Sequence, residues 1–417
     1  MYDAIIVGAR CAGSPTAMLL ARKGYRVLLL DRAIFPSDSM RGHFIRYAGV
    51  CCLQRWGLME RVLASNCPPV HSHSVHLGDF ALTGYPALGP GIAGELAPRR
   101  KVLDTILVQA AVEVGAELYQ GCTVQELLTD GDRITGIRAR TKGGGTISAT
   151  ARIVVGADGL HSVVARAVRA PMYQVMPKLT CSYFSFWSGL PQRGIEVHVR
   201  GRLLLVCFPT NDDLVCVGAQ WPADQFSTIR TNVEASFLKS LDRAPELAER
   251  VRRGRREERF LGTGDLPNFF RKPYGPGWAL VGDAGYHKDP FSATGISDAF
   301  RDAELLVEAL DAGFCGRQPL DEALAGYEEA RNRAALPQYQ ETCRQASFVP
   351  PPPQILQFRA ALRSNQAATD QFYGVALGTV PAAAFYAPDN MQRIMASAAR
   401  GRGHECAQIK NSSSVQW

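Results

Sequence analysis

Apolar residues fall first in an unbroken run, Ala4-Ile-Ile-Val7, then at helical spacing over 13–24, then unbroken again within Tyr25-Arg-Val-Leu-Leu-Leu-Asp31. Such runs predict strands buried on both faces, and the helix between them completes a βαβ unit of a parallel sheet. Residues 42–64 carry helical spacing, whereas 70–98 break into short alternating segments punctuated by Gly and Pro, which predicts antiparallel sheet. Helical period returns over 102–114 and strand over 116–119. Residues 122–155 read as a hairpin or three-stranded meander, with turns at Asp130-Gly-Asp132 and Gly143-Gly-Gly145, ending in Arg152-Ile-Val-Val-Gly156. A second antiparallel block spans 178–264. After 291 the chain turns helical, and Pro350-Pro-Pro-Pro353 links to a final helical segment.

This order predicts an α/β fold with α+β insertions and no internal repeat. A Rossmann-like nucleotide-binding domain would be assembled from residues 1–70, 99–177 and 265–330. An antiparallel-sheet substrate domain would take 71–98 and 178–264, and a C-terminal helical segment 331–417.

A chain of 417 residues, 46% apolar and 20% charged, has enough material for several cores, which excludes disordered and fibrous classes. Its 46 basic and 39 acidic residues leave a net charge of +7, too small and scattered for a nucleic-acid partner. The run Arg250-Val-Arg-Arg-Gly-Arg-Arg256 reads as a solvated helix face. The 11 cysteines lack CxxC spacing, and Cys51 and Cys52 are adjacent, so buried thiols in a reducing compartment fit better than zinc or a disulfide framework. No basic n-region precedes the first strand and no run of about 18 apolar residues occurs. The expectation is a cytoplasmic protein without a membrane span.

Chemistry enters at Gly8-Ala-Arg10-Cys-Ala-Gly13, which follows the first strand and opens the first helix, with Asp31 at the end of the second strand. Strand, tight turn, helix start and a downstream acid form the context of a dinucleotide fingerprint. Gly8 makes the turn, Gly13 lets helix and strand approach, and the helix N-terminus faces a pyrophosphate. Arg10 stands where the middle glycine is usual, so its side chain either points away from the cofactor or clamps phosphate. The fingerprint alone does not choose between NAD and FAD.

Two later motifs choose. Val155-Gly-Ala-Asp158-Gly159 follows a buried strand. Trp278-Ala-Leu-Val-Gly282-Asp283-Ala-Gly-Tyr286-His287-Lys288-Asp289-Pro290, closed by Thr294-Gly295-Ile296-Ser-Asp298, reads as strand, acidic turn, loop and helix start. With three motifs in this order, the chain resembles FAD-dependent monooxygenases of the aromatic-hydroxylase type over roughly residues 1–330. It resembles almost as closely the geranylgeranyl-reductase-like flavoproteins of the same fold.

The resemblance implies a set of cofactor contacts. Asp31 would hold the adenosine ribose, with Arg32 beside it among the cofactor-binding residues. Arg46 and Arg100 would reach phosphate or ribityl oxygens, and Val124 would meet adenine through its backbone. Asp158 would support the pyrophosphate region, and Asp283 would bond the ribityl chain. Gly295 and Ile296 would present backbone N–H groups and a helix dipole to the flavin N1/C2=O edge, where reduced flavin is anionic.

The departures matter for chemistry. Hydroxylases of this type usually read Gly-Asp-Ala-Ala-His followed by paired prolines; here Tyr286 takes the histidine position and Asp289 that of the first proline. Asp289 would relay a proton, or instead cap the helix starting near 292 or pair with Lys288. His287 and Tyr286 complete the catalytic candidates. Tyr183, Phe186, Trp187 and Phe208 would line an apolar substrate pocket or simply form core. His71, His73 and His76 cluster in sequence but lack a fourth ligand, so no metal is expected. The Trp-x-Trp-x-Ile-Pro motif of flavin halogenases is absent.

The leading expectation is therefore an FAD-dependent monooxygenase that uses NAD(P)H as a transient reductant, since no second dinucleotide fingerprint exists. Through a flavin C4a-hydroperoxide it would oxygenate an apolar, aromatic or polycyclic small molecule. The alternatives are a flavin reductase of isoprenoid-like double bonds and a flavin-stabilised binding protein without turnover. The segment after about 345 would close the pocket or form a homodimer contact.

Overall fold

The computed structural model describes residues 1–38, 42–77 and 80–399. The chain groups into two compact units, one of Met1–Cys67, Leu96–Cys181 and Thr263–Ser347, the other of Pro68–Glu95, Ser182–Gly262 and the described residues from Phe348.

The first unit is built on a parallel sheet. Strand Tyr2–Val7 lies between Val27–Asp31 and Thr146–Gly156, with Ile6 opposite Leu29 on one side and Val155 on the other. Glu117–Gln120 and Trp278–Leu280 extend the sheet in parallel beyond them. Alternation then decides what each residue meets. Ile5, Val7, Leu28 and Leu30 pack with Val124, Ile134 and Ile137 of the hairpin formed by Cys122–Asp130 and Arg133–Thr141. Helix Gly13–Arg22 packs with both Arg100–Glu113 and Gly295–Phe314 in the same unit. A sheet covered in this way needs apolar residues at every position, which explains the unbroken runs.

Strand Thr146–Gly156 serves two sheets at once. Its first half is antiparallel to the hairpin, with Thr150 opposite Gly136, and its second half is parallel to Tyr2–Val7. The expected meander and the Rossmann-like sheet are thus one continuous piece. The helix expected from 42 starts only at Tyr47, because Arg46 is extended and Ile45 bridges Leu96. Helix Leu320–Ala346 runs unbroken through residues 330 and 331.

The second unit holds a mixed sheet. His73–Leu77 is antiparallel to Phe80–Gly84, as the alternation suggests, but parallel to Ile195–Val199, with His76 opposite His198. Helices Val233–Leu241 and Pro245–Arg253 interrupt the block expected to be purely antiparallel. Trp187 stacks on Phe237 of the first of them, and Trp221 meets the same ring edge-on. The basic run is not uniformly solvated: Arg252 and Arg253 are exposed, but Arg250 turns inward to grip Glu196 with both terminal nitrogens, at 2.7 and 2.6 Å.

The segment after 347 has a clear place within this unit. Helix Pro353–Leu362 starts on the last residue of the proline run, where a missing N–H costs nothing. Together with Gln366–Leu377 it packs on Leu82, Val75 and Phe80. Tyr373 donates to the Leu82 carbonyl at 2.8 Å, and Asp370 accepts from the Tyr85 N–H at 2.8 Å. Gly84 is required here, since a Cβ would stand 2.3 Å from the Tyr373 ring. Tyr373→Phe keeps the ring but strands a buried carbonyl, so a loss of about 1–2 kcal/mol is expected in urea unfolding. An unchanged midpoint would show that the tail docks without help from this bond.

Candidate functional site

Gly8 and Gly13 are fixed by contact as well as by conformation. Gly8 has φ +104, and a Cβ on it would lie 2.5 Å from the Ala157 carbonyl oxygen; on Gly13 a Cβ would lie 1.7 Å from the carbonyl oxygen of Gly8. The first fingerprint and the Ala157-Asp158 motif therefore touch backbone to backbone. Asp31 accepts from the Ala9 N–H and the Ala33 N–H, both at 2.7 Å, which ties the turn to the second strand while each oxygen keeps a lone pair for a ribose hydroxyl. Ser14, fully buried at the start of helix Gly13–Arg22, has a hydroxyl with no hydrogen-bond partner among the described residues. An orphan donor at a helix start beside the Gly8 turn suits a phosphate, so the residues present fit a dinucleotide.

Arg10 points away from the turn. Its guanidinium bonds Asp104 at 2.5 Å and Ser37 Oγ at 3.1 Å. Asp104 also receives Arg100 at 2.9 Å, so Arg100, expected at phosphate or ribityl oxygens, is anchored from behind by a fully buried carboxylate. Asp158 accepts from the Val163 N–H at 2.6 Å, and burial raises its pKa. Val124 sits at a bulge where the ladder slips between Val124 and Glu126, a place where backbone groups leave regular pairing. Arg32 follows the second strand and stays exposed.

The third motif meets the first. Gly282 has φ +61, and a Cβ there would come within 2.8 Å of the Ala12 Cβ. Asp283 lies in the one-turn helix Gly282–Ala284 and interacts electrostatically with Arg100. Arg46 donates to the Ser292 carbonyl at 3.2 Å, and Ser297 Oγ donates to the Arg46 carbonyl at 3.3 Å, which joins this loop to the helix Tyr47–Trp56. Gly295 opens helix Gly295–Phe314 next to Ile296, and a Cβ on it would meet nothing within 4 Å. Space lies open at that helix N-terminus.

The loop between these points is held by side chains. Of the uses open to Asp289, the structure builds a cap: its carboxylate accepts from the Phe291 N–H at 3.1 Å and from Thr180 Oγ1 at 2.6 Å, and it is fully buried. It caps the short turn Pro290–Ser292 rather than a helix from 292, and Lys288 pairs elsewhere. Tyr286 is core, its ring stacked 4.8 Å from Phe270 and its hydroxyl accepting from Arg301 at 2.7 Å, with burial pushing its pKa well up. His287 is held through Nδ1 at 2.5 Å from the Pro267 carbonyl. The network of Lys288, Asp298, Arg301 and Asp302 was not legible in the sequence, because it joins a loop residue to helix residues 10 to 14 positions later by contacts that no local pattern marks.

In the second unit, strand alternation divides the four aromatic candidates. Tyr183 and Trp187 share one face of their strand, the face on which Trp187 meets Phe237, whereas Phe186 points the other way. Phe208 is opposite Cys216, out of phase with Cys207, which faces the same side as Glu196 and Arg250. The histidines split likewise. His73 lies 3.3 Å from Glu95 and near the Tyr373 ring, while His76 stacks on His198 at 4.0 Å; His71 precedes the strand. His76, Glu196 and His198 bring three donor atoms within 4.8 Å of one another. Both Glu196 oxygens are taken by Arg250, however, and the rings stack at 15°, so their in-plane lone pairs run side by side instead of converging on an ion.

The comparisons with known proteins agree with the motifs. The FAD binding domain family matches residues 1–195. Kynurenine 3-monooxygenase of Salinispora arenicola is 29% identical over 365 residues, covering 78% of this chain and 75% of that protein. Squalene monooxygenase SE1 of Panax ginseng is 24% identical over 329 residues, covering 74% of this chain and 58% of that protein, so the chain spans a little over half the length of this relative. These similarities support placing the chain among FAD-dependent monooxygenases. The myxobacterial chondrochloren halogenase, 21% identical to this flavoprotein, shares its fold with a TM-score of 0.77 over 96% of this chain and 97% of that one. No helix among the described residues is long and apolar enough to cross a membrane.

Gly13→Ala should abolish FAD retention, read by absorbance of the purified flavoprotein at about 450 nm, a typical flavin band for a bound cofactor of this kind. Normal retention would mean that the turn yields to the new Cβ. A second expectation concerns pH. Burial, and then His198, lowers His76 from 6.5 to about 4, while Arg250 and His198, against burial, hold Glu196 at about 2 instead of 4.5. Both groups bind protons more tightly in the unfolded chain, so both contributions to stability are complete above pH 6.5 and are lost as pH falls through 6.5 to 4 for His76 and 4.5 to 2 for Glu196. The unfolding midpoint should be level from pH 6.5 to about 8, below the range in which thiols titrate, and drop below pH 6.5; His76→Gln should reduce the upper part of that drop, to which buried His43, lowered from 6.5 to about 3, also contributes.

Proposed function

We propose that this flavoprotein is a monooxygenase that takes reducing equivalents from NADH or NADPH and oxygenates an apolar small molecule, aromatic or polycyclic in character. The observation that supports the reading is the close approach of Gly282 to Ala12, which sets the third motif against the first within one unit, as a single long FAD would require. Its resemblance in sequence to kynurenine and squalene monooxygenases supports the oxygenating branch. Bound flavin supplies the activation of O2 and the transfer of one oxygen atom. The chain's residues do the rest.

Asp31 and Ser14 bind the adenosine ribose and the pyrophosphate, with Arg32 at the adenosine end and Val124 meeting adenine through its backbone. Arg100 and Asp283 hold the ribityl end. Arg46 fixes the loop through Ser292, and the N–H groups at Gly295 and Ile296 stabilise negative charge at the flavin edge. Asp158, kept by burial nearer its neutral form than a surface carboxyl, steadies the Gly8 turn from across the sheet. Asp289, His287 and Tyr286 hold the loop in shape, and no proton transfer is assigned to them.

Purified flavoprotein mixed with NADH or NADPH in air separates the readings. Oxygen uptake and incorporation of labelled O2 into product are expected; faster turnover without O2 would mean an alkene reductase, and unspent nicotinamide would mean a binding protein. Asp289→Asn retains an oxygen acceptor for the cap and should leave turnover close to wild type. A loss of about 100-fold or more, the size of a general acid's contribution, would return Asp289 to proton relay.

A further inference from the structure

Lys288 is 7% exposed, and its ammonium lies 2.5 Å from Asp298 Oδ2 and 3.1 Å from Gln338 Oε1. Asp298 belongs to the first turn of helix Gly295–Phe314. Its carboxylate also accepts from Thr294 Oγ1 at 3.1 Å and from Arg301 at 2.9 Å. Arg301 continues to Asp302 and to the Tyr286 hydroxyl, both at 2.7 Å. Four charged groups thus stand behind one helix N-terminus, the end that carries Gly295.

A buried lysine is an expensive way to pin a loop. Its desolvation costs several kcal/mol, and beside a helix N-terminus it also opposes the dipole. A mechanical clip between Lys288 and residue 298 could be built from apolar or neutral groups at lower cost. What the charged pair adds is a field. Although burial opposes it, Lys288 and Arg301 hold the Asp298 carboxyl below its usual range. Burial pushes Asp302 the other way, and its Oδ2 has no hydrogen-bond partner among the described residues.

We infer that Lys288 is a positioning residue that acts electrostatically, offsetting Asp298 at the first helical turn so that the helix N-terminus still favours negative charge on the flavin. The inference rests on the reading that the flavin N1/C2=O edge faces Gly295 and Ile296. Two-electron reduction with uptake of one proton leaves that edge anionic, so a change of charge behind the helix must appear in the reduction equilibrium.

The test is the midpoint potential of bound FAD, measured by slow reduction with xanthine and xanthine oxidase against a reference dye, without substrate. Lys288→Met leaves Asp298 less compensated and should lower the potential, whereas Asp298→Asn leaves Lys288 in excess and should raise it. Each shift should be about tenfold in the reduction equilibrium, or about 30 mV for a two-electron couple. Lys288→Arg should restore the wild-type value. A structural clip predicts the same sign for both variants, because both break the same contact; equal signs, no shift, or loss of FAD by Lys288→Met alone overturns the inference. Should Lys288→Met fail to fold, the sign for Asp298→Asn decides, a rise in support and a fall or no change against. Wild-type protein that does not retain FAD removes the flavin reading and this inference with it, whereas normal retention with the wrong signs removes only this inference.

Discussion

The first unit depends on an approach of bare backbone at three glycines. Gly8 lies under the Ala157 carbonyl, Gly13 under that of Gly8, and Gly282 against Ala12, each at a distance that leaves no room for a Cβ. The Gly8 and Gly282 contacts join segments about 150 and 270 positions apart in the chain. A side chain at any of them would push apart the parallel strands whose ends carry Asp31, Asp158 and Asp283. The glycine turns thus bring the segments that carry Asp31, Asp158 and Asp283 to the ends of one set of parallel strands, the place where open α/β sheets bind dinucleotides.

This constraint explains why the fold of the first unit was legible in the sequence. A buried parallel sheet demands unbroken apolar runs, and close backbone approach demands glycine, so both signals are local and leave few substitutes. The strands at Tyr2–Val7 and Val27–Asp31, the turn and the mixed α/β order were all readable on that basis. Arg10 shows the limit. Nothing adjacent to it announced that Asp104, on a different helix, would draw its guanidinium away, because that choice is made by a contact 94 positions distant.

The second unit was harder to read for a related reason. Alternation indicates that a strand has two faces but not which face a distant helix will cover, so Phe186 and Trp187 looked like members of one wall and are on opposite sides. Arg250 looked solvated because its neighbours Arg252 and Arg253 are; its partner Glu196 lies on a strand 54 positions earlier. The three histidines of 71–76 looked like a cluster in sequence, yet a period of two sends His73 and His76 to different faces, where Glu95 and His198 wait for them.

The loop after Asp283 is where sequence departure and structure bear most directly on function. An aspartate in place of a proline suggests chemistry, but Asp289 is consumed by Phe291 and Thr180, and tyrosine in place of histidine is consumed by Phe270 and Arg301. Asp289 thus stiffens by hydrogen bonds a position that a proline would stiffen by its ring, and Tyr286 adds stacking. Lys288 does not fit that account, since its burial costs more than the stiffness it brings. The same physical reasoning that moves Asp289 from catalyst to cap therefore moves Lys288 from an unremarked loop residue to the electrostatics of the helix start.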